Sequence, residues 1–348
     1  MKHLLNHLLT GEPLSHEQTV EAFELIMTGQ VGPASVGALL AMIQLRGPNI
    51  SELSGAATVM RSKAHRVQVP AGLKVIDTCG TGGDHAGTFN ISTAAALVAA
   101  GAGRSHNMAV AKHGNRSVTS NSGSSQVLAE LGVKLDASPE APTKCLDKAG
   151  ICFCFAPAHH PAMKHAVPIR QELGIRTIFN LLGPLTNPAG ASRQLMGVFD
   201  PHWTEPLAKV LQSLGSEHAM VVCGQFPTKA NAQGQLDEIS TAGPTQISHL
   251  KDGVVTTTTL EITALNLPLA TAADLQVDGP AASAKVIKDI LAGSQGPSRD
   301  IVCANAAAAL VVADVARDLA EGLLMAQKAI DDGLAQKALA ALVEESNA

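Results

Sequence analysis

Apolar residues recur three and four apart through the first seventy positions. Val36, Leu39, Leu40 and Ile43 mark one such stripe, so the spacing predicts an amphipathic helix over 34–45, opened by Pro33 at its first position. Ser15 with Gln18 three residues on is a capping-box signature for a helix through Met27, and Asn49 or Ser51 opens a third helix to about Lys63. No strand signal interrupts them, and residues 1–70 are predicted to form a small all-helical domain. After Pro70 the period changes. A short buried strand over 73–77 runs into a Gly-rich loop, then a small-residue helix over 92–100, a strand over 108–111, a polar loop and a helix over 122–131. Segments 151–155, 161–172, 206–214 and 219–223 continue the alternation of strand and helix signals, and the last quarter is Ala-rich helix, notably 305–315 and 320–330. Alternation of this kind predicts an α/β fold, a mostly parallel central sheet covered by helices, over 71–348. Segment 226–234 has no period and reads as a loop, and no internal repeat is present.

Composition narrows the function. The 348 residues are 46% hydrophobic and 16% charged, enough for a large core and unlike a disordered chain. Aromatic content is 2%, with seven Phe, one Trp and no Tyr, which leaves few rings for stacking unpaired bases. Lys plus Arg number 25 against 30 Asp plus Glu, a formal charge of −5, the wrong sign for a nucleic-acid partner. Any bound anion is then small and held locally. Residues 1–9 have no features of a secretory leader, and the most apolar stretches, 93–102 and 304–312, are too short to span a bilayer. A cytoplasmic protein with no membrane partner is expected. Cys79, Cys145, Cys152, Cys154, Cys223 and Cys303 contain no C-x-x-C pair and read as reduced, buried thiols; Cys152 and Cys154 lack further ligands for zinc.

Four constellations carry chemistry. Asp77-Thr-Cys-Gly-Thr-Gly-Gly-Asp84, continuing to Asn90-Ile-Ser-Thr93, ends a strand with glycines and opens a hydroxyl-rich helix. Converging backbone N–H groups and a helix N-terminus make a cradle for phosphate or pyrophosphate. A dinucleotide fingerprint would need Gly where His85 stands, and a Walker loop would need Gly-Lys-Ser/Thr near Gly87. A tight structural turn is the competing reading. The second, Lys112 to Ser125, packs cations, amides and hydroxyls between a strand and a helix and suits a highly charged phosphorylated ligand; a solvated loop is its alternative. Both would open on the carboxyl edge of a parallel sheet, where ligands bind. The third is the pair Asp237-Glu238, suited to Mg²⁺ or to mere exposure. The fourth is His159-His-Pro-Ala-Met-Lys-His-Ala-Val-Pro-Ile-Arg170, in which Arg170 could clamp a carboxylate or pair with Glu172.

In this order the motifs resemble the anthranilate phosphoribosyltransferases. The likeness rests on Gly80-Thr-Gly-Gly-Asp84, Asn90-Ile-Ser-Thr93, Lys112-His-Gly-Asn-Arg-Ser117, Phe155-Ala-Pro157, His160-Pro-Ala-Met-Lys164, Arg176-Thr-Ile-Phe-Asn-Leu-Leu-Gly-Pro-Leu-Thr-Asn-Pro188, Asp237-Glu238 and Asn305-Ala-Ala-Ala-Ala-Leu310. It implies transfer of the phosphoribosyl group of phosphoribosyl pyrophosphate (PRPP) to the amine of anthranilate, a step of tryptophan synthesis, by a Mg²⁺-dependent homodimer. Gly80, Gly83, Asp84, Thr88, Asn90, Ile91, Ser92 and Thr93 would hold PRPP, with Lys112, His113, Gly114, Asn115, Arg116, Ser117, Val118, Thr119, Ser120 and Ser124 closing over it. Ser92, Asp237 and Glu238 would ligate Mg²⁺. Anthranilate would meet Gly80, His113, Asn115, Gly183, Pro184 and Arg170, the last facing its carboxylate. No residue is implied as acid or base. The helical domain would also recruit a segment around 163–187. Segments 103–110 and 225–235 are longer than the family's usual links, and both flank ligand loops. A pyrimidine nucleoside phosphorylase shares the general fold but needs no acidic Mg²⁺ pair, and a nucleic-acid-binding relative would not need intact ligand loops.

Overall fold

The computed structural model describes residues 1–115, 123–135, 138, 140–228 and 234–348. The chain opens with four helices, α1 Lys2–Leu8, α2 His16–Met27, α3 Pro33–Arg46 and α4 Ile50–Ser62. Their starts follow the predicted chemistry. The Ser15 side chain accepts from the Gln18 N–H, and the Gln18 side chain accepts from the Ser15 N–H at 2.9 Å. Asn49, rather than Ser51, caps α4, paired reciprocally with Glu52. Glu52 is fully buried, a position a carboxylate tolerates only when satisfied. It accepts from the Leu14 N–H at 3.1 Å, the Asn49 N–H at 3.0 Å and the Arg46 guanidinium, and so ties three segments of the bundle together.

The rest is one eight-stranded sheet with helices on both faces. Its first half contains β1 Lys74–Asp77, α5 Ile91–Gly103, β2 Met108–Gly114, α6 Ser124–Glu130, α7 Ala141–Ala149, β3 Ile151–Phe155, α8 Ala156–His159, α9 Val167–Leu173 and α10 Phe179–Leu182. Then follow β4 Arg193–Gly197, α11 Thr204–Ser213, β5 His218–Gln225, β6 Gln235–Leu236, β7 Thr245–Lys251 and β8 Val254–Leu260. Helices α12 Ala272–Leu275, α13 Gly279–Leu291, α14 Pro297–Val312, α15 Leu319–Asp331 and α16 Leu334–Asn347 complete it. Strand order is β3-β2-β1-β4-β5-β7-β8, with β6 beside β5. The five strands from β3 to β5 run parallel, and β6, β7 and β8 join antiparallel.

Alternate residues of β5 serve two cores. Ala219, Val221 and Cys223 pack in one apolar cluster with Leu207 and Leu211 of α11 and with Phe23, Leu40 and Leu53 of the bundle. Met220 and Val222 pack with α5 and α14 on the other face. Ala166, Ile178, Phe179, Leu182 and Leu185 join the bundle cluster. The second cluster contains the central α14, whose residues from Ile301 to Val312 are all buried.

Several expectations change in detail. The single element predicted over 161–172 is a 3₁₀ turn, Pro161–His165, followed by α9, because Pro168 has no N–H and takes a first-turn position. The helix predicted over 122–131 spans Ser124–Glu130, and residue 122 lies outside the described residues, as do 229–233 of the predicted loop. Strand β4, the β7–β8 hairpin, α7, α13 and α16 were not predicted. Among the described residues no helix is long and apolar enough to cross a membrane.

A histidine stack closes the sheet end away from the ligand loops. His218 Nε2 lies 2.7 Å from His249 Nε2, and His218 Nδ1 lies 3.0 Å from Asp314, which also binds Arg193. Burial, then His218 and Lys251, pushes the His249 ring down to about 4. Unfolded His249, at an ordinary 6.5, takes a proton first, so its contribution to stability is present above that pH and is lost as pH falls toward 4. The loss by pH 5 is on the order of 1 kcal/mol. A His249→Gln variant should therefore show a smaller fall in Tm between pH 7 and pH 5 than the parent, measured by calorimetry. Equal falls would assign the acid sensitivity elsewhere.

Candidate active site

The strand order turns back between β1 and β4, the switch point at which ligands bind open α/β sheets. A cleft of about 680 Å³ lies there, beyond the carboxyl ends of the parallel strands. Residues 78–90 leave β1 and enter α5. Gly82 and Gly83 hold φ of +66° and +82°, left-handed values that glycine adopts without a Cβ penalty. At Gly80 the demand is space: a Cβ would stand 2.5 Å from Asp237 Oδ2. The Gly82 N–H donates to that same oxygen at 2.7 Å, and the Thr81 N–H donates to Gly197 O of β4 at 2.9 Å.

The acid pair enters from the segment after β6. Glu238 Oε1 accepts from the Ser92 N–H at 2.9 Å in the first turn of α5, a favourable place for a negative charge. Lys112 Nζ donates to Ser92 Oγ and to Thr78 O, both at 3.1 Å. The Asp237 N–H donates to Asp84 Oδ2 at 3.3 Å, which brings a third carboxylate close. Burial, then the charges of Asp84 and Glu238, holds Asp237 well above the usual carboxylate range. Burial lifts Glu238 to about 7 although Lys112 pulls it down. Lys112 favours the charge of Glu238, and the carboxylate oxygens of Asp84, Asp237 and Glu238 suit a hard divalent cation such as Mg²⁺. The residues present fit that ion.

Another part of the cleft lining is built around His113. Its N–H donates to Asp77 Oδ1 at 3.1 Å, and its Nδ1 lies 3.0 Å from Gly183 O. Asp77 is buried at the end of β1, and burial lifts it to about 6. Gln194 Nε2 donates to Pro184 O at 2.8 Å, which fixes the Gly183–Pro184 turn to β4. Arg170 Cζ lies 5.1 Å from the centre of the Phe179 ring. It pairs with no carboxylate among the described residues, Glu172 included, and burial lowers its pKa. A half-buried guanidinium on a cleft wall can accept a carboxylate from a ligand.

Of the expected site residues, Gly80, Gly83, Asp84, Thr88, Asn90, Ile91, Ser92, Lys112, His113, Gly114, Asn115, Ser124, Arg170, Gly183, Pro184, Asp237 and Glu238 line this cleft. Thr93 does not; it is buried and donates to Asn90 Oδ1 at 2.5 Å, so its place is structural. Arg116, Ser117, Val118, Thr119 and Ser120 lie outside the described residues. Sequence reasoning assigned no role to Arg176, which stacks on Phe199 with Cζ 4.2 Å from the ring centre and donates to Gly83 O at 2.6 Å. Its place in the 176–188 run was the available signal. His160, Met163 and Asn180 also reach the wall.

Known proteins agree with this architecture. The helical-bundle model of the glycosyl transferase family matches residues 2–64, and that family's a/b-domain model matches residues 72–336. The anthranilate phosphoribosyltransferase of Rhodospirillum rubrum is 50% identical over 99% of this chain and 95% of its own. That of Thioalkalivibrio sulfidiphilus is 49% identical over 95% and 94%. The crystal structure of the Thermus thermophilus enzyme, 37% identical, superposes with a TM-score of 0.89 over 99% of both chains. The Saccharomyces cerevisiae enzyme in complex with PRPP and Mg, 26% identical, gives 0.81 over 95% of this chain and 92% of that one. On the strength of full-length identities near one half and a common two-part fold, the chain belongs to the anthranilate phosphoribosyltransferase family.

Proposed function

We propose that the protein transfers the phosphoribosyl group of PRPP to the amine of anthranilate, giving N-(5-phosphoribosyl)anthranilate and pyrophosphate in tryptophan biosynthesis. The observation that carries the reading is the chemistry of two parts of one cleft. The glycine loop, Lys112 and the acid cluster form one part of the lining, and Arg170, which pairs with no carboxylate among the described residues, and the His113 wall form another. The first suits pyrophosphate with a divalent cation, the second a small aromatic acid.

Ser92, Asp237 and Glu238 would hold Mg²⁺, which when bound neutralises charge that grows on departing pyrophosphate. The glycine loop would position the phosphates through N–H groups other than those of Thr81 and Gly82, which bond Gly197 O and Asp237. Arg170 receives the anthranilate carboxylate and so aims the neighbouring amine at the anomeric carbon. An aromatic amine is neutral at physiological pH, so alignment supplies much of the rate. The exposed Leu9 and Leu45 of the bundle, 69% and 91% accessible, suit contact between two copies in a homodimer, which sedimentation would test.

Loss of anthranilate fluorescence on mixing with protein, PRPP and Mg²⁺ tests the reaction. Decay that requires all components is expected; phosphorolysis of a nucleoside instead would replace this reading with a phosphorylase. Arg170→Ala should raise KM for anthranilate about 30-fold or more, the lower end of the roughly 2–5 kcal/mol attached to a desolvated charge partner. KM for PRPP should hardly move. An unchanged KM for anthranilate removes Arg170 from that role.

A further inference from the structure

The transfer leaves one proton to place. As the amine lone pair bonds to the anomeric carbon, the bond from that carbon to the pyrophosphate oxygen breaks and its electron pair leaves with pyrophosphate. The nitrogen is then cationic, and an N–H bond must break with its pair returning to nitrogen.

His113 and His160 stand together on the cleft wall, with Nε2 to Nε2 at 3.3 Å and ring centres 5.1 Å apart. Each ring also turns to the backbone. His113 Nδ1 meets Gly183 O at 3.0 Å, and His160 bonds the Thr186 backbone in the sense that favours its protonated ring. A carbonyl only accepts, so the nitrogen facing each carbonyl carries the hydrogen. A neutral imidazole has one N–H, so His113 Nε2 is then bare and turns its lone pair to His160 Nε2. Three hydrogen-bond lines share two protons, and a third proton between the rings would complete all three.

We infer that the His113–His160 pair is the proton acceptor of the transfer, taking the amine proton onto the Nε2 lone pair that the two rings share. This rests on the reading of the cleft as the site of anthranilate transfer. The resting pair is neutral: burial above all pushes His113 down to about 3 and His160 to about 4. Lys112, His159 and His65 oppose a charge there, and Asp77, whose Oδ1 accepts from the His113 backbone N–H at 3.1 Å, is the acid beside the pair. The new anilinium nitrogen is bonded to the anomeric carbon, whose ring oxygen withdraws electrons and makes it a stronger acid than a simple N-alkylanilinium, which offsets the low basicity that burial gives the two rings. The proton later returns to solvent as the products leave.

Single-turnover decay of anthranilate fluorescence, with PRPP and Mg²⁺ in excess, measures the step. His160→Gln should slow it about 100-fold, the lower end for a positioned base. KM for anthranilate should stay within about threefold of the parent, and Tm and the thermal shift caused by PRPP with Mg²⁺ should stay unchanged. In His160→Ala, added imidazole should restore rate, and a series of substituted imidazoles should restore it in order of basicity. A His160→Gln rate equal to the parent's, a loss carried wholly by KM, or a deficit in His160→Ala that no base relieves would overturn the inference in favour of a packing role. Parent protein that leaves anthranilate fluorescence untouched would instead remove the transferase reading itself.

Discussion

Glu238→Gln is expected to lower kcat/KM for PRPP by about 100- to 1,000-fold, the range seen when one preorganised electrostatic partner of a transition state is removed. The substitution is close to isosteric, and the amide oxygen can still accept from the Ser92 N–H, which Glu238 Oε1 meets at 2.9 Å. What disappears is charge. In the cluster of Asp84, Asp237 and Glu238 the charge of Lys112 favours Glu238, yet burial with mutual repulsion raises both Asp237 and Glu238. Such a set is uncomfortable by itself and comfortable around a divalent cation, so losing one carboxylate weakens metal binding while it relieves the repulsion. Two readouts separate these effects. Calorimetric titration of Mg²⁺ in the presence of PRPP should show weaker binding, and Tm without metal should stay level or rise. Chelation with EDTA should silence the parent enzyme, and Mg²⁺ should restore it. A variant with parental activity and Mg²⁺ dependence would move the metal site away from Glu238.

Gly197→Ala should be nearly as damaging, although the residue carries no functional group. Gly197 ends β4, and a Cβ there would collide with the Asp237 backbone carbonyl. Gly197 O also accepts from the Thr81 N–H of the glycine loop, so one strand end seats both halves of the phosphate site. Neighbouring β5 uses the same device: a Cβ on Gly224 would stand 2.7 Å from Glu238 O. A backbone carbonyl cannot rotate aside as a side chain does, so the acid-bearing segment must move outward. Overpacking of this kind costs about 1–3 kcal/mol. Displacement of the acids by even an ångström is expected to lower turnover about 100-fold. Thermal unfolding and the fluorescence assay together check both parts. Gly37→Ala is the control: it lies in α3, where a Cβ would meet only Leu173 Cδ2 at 3.9 Å, and should leave activity unchanged with stability equal or slightly higher. If Gly197→Ala keeps full activity, β4 does not seat the acid pair.

Local chemistry was legible before any coordinates. The Ser15 cap, a cap at Asn49 or Ser51 that the structure settles on Asn49, the glycine loop after β1 and the donor-rich segment after β2 announce themselves within a few residues, because a cap, a left-handed turn and a strand-to-helix transition are short-range events. Alternating strand and helix signals were likewise enough for an α/β fold behind a helical start. Strand β4, Arg-Gln-Leu-Met-Gly, escaped because buried parallel strands lack alternation and five residues are too few to show any period. The β8 edge, rich in exposed threonine, escaped for the opposite reason, having little apolar signal at all. Arg170 and Asp237-Glu238 could be singled out as residue types, yet whether each was paired, solvated or aimed into a cleft depended on its neighbours in space.

Those neighbours come from the order β2-β1-β4-β5, which sets the loop of residues 78–90 against Asp237, 155 positions beyond Gly82, and His113 against His160, 47 positions away. Periodicity decides which face of an element is buried. It carries no information about which distant element covers that face, so the sequence by itself determined the parts, their polarity and the kinds of chemistry they hold. Only the tertiary structure decided the shared acid cluster, the facing histidines and the space that Gly197 must leave empty. Each of these is a contact between segments far apart in the chain, created when the sheet orders its strands.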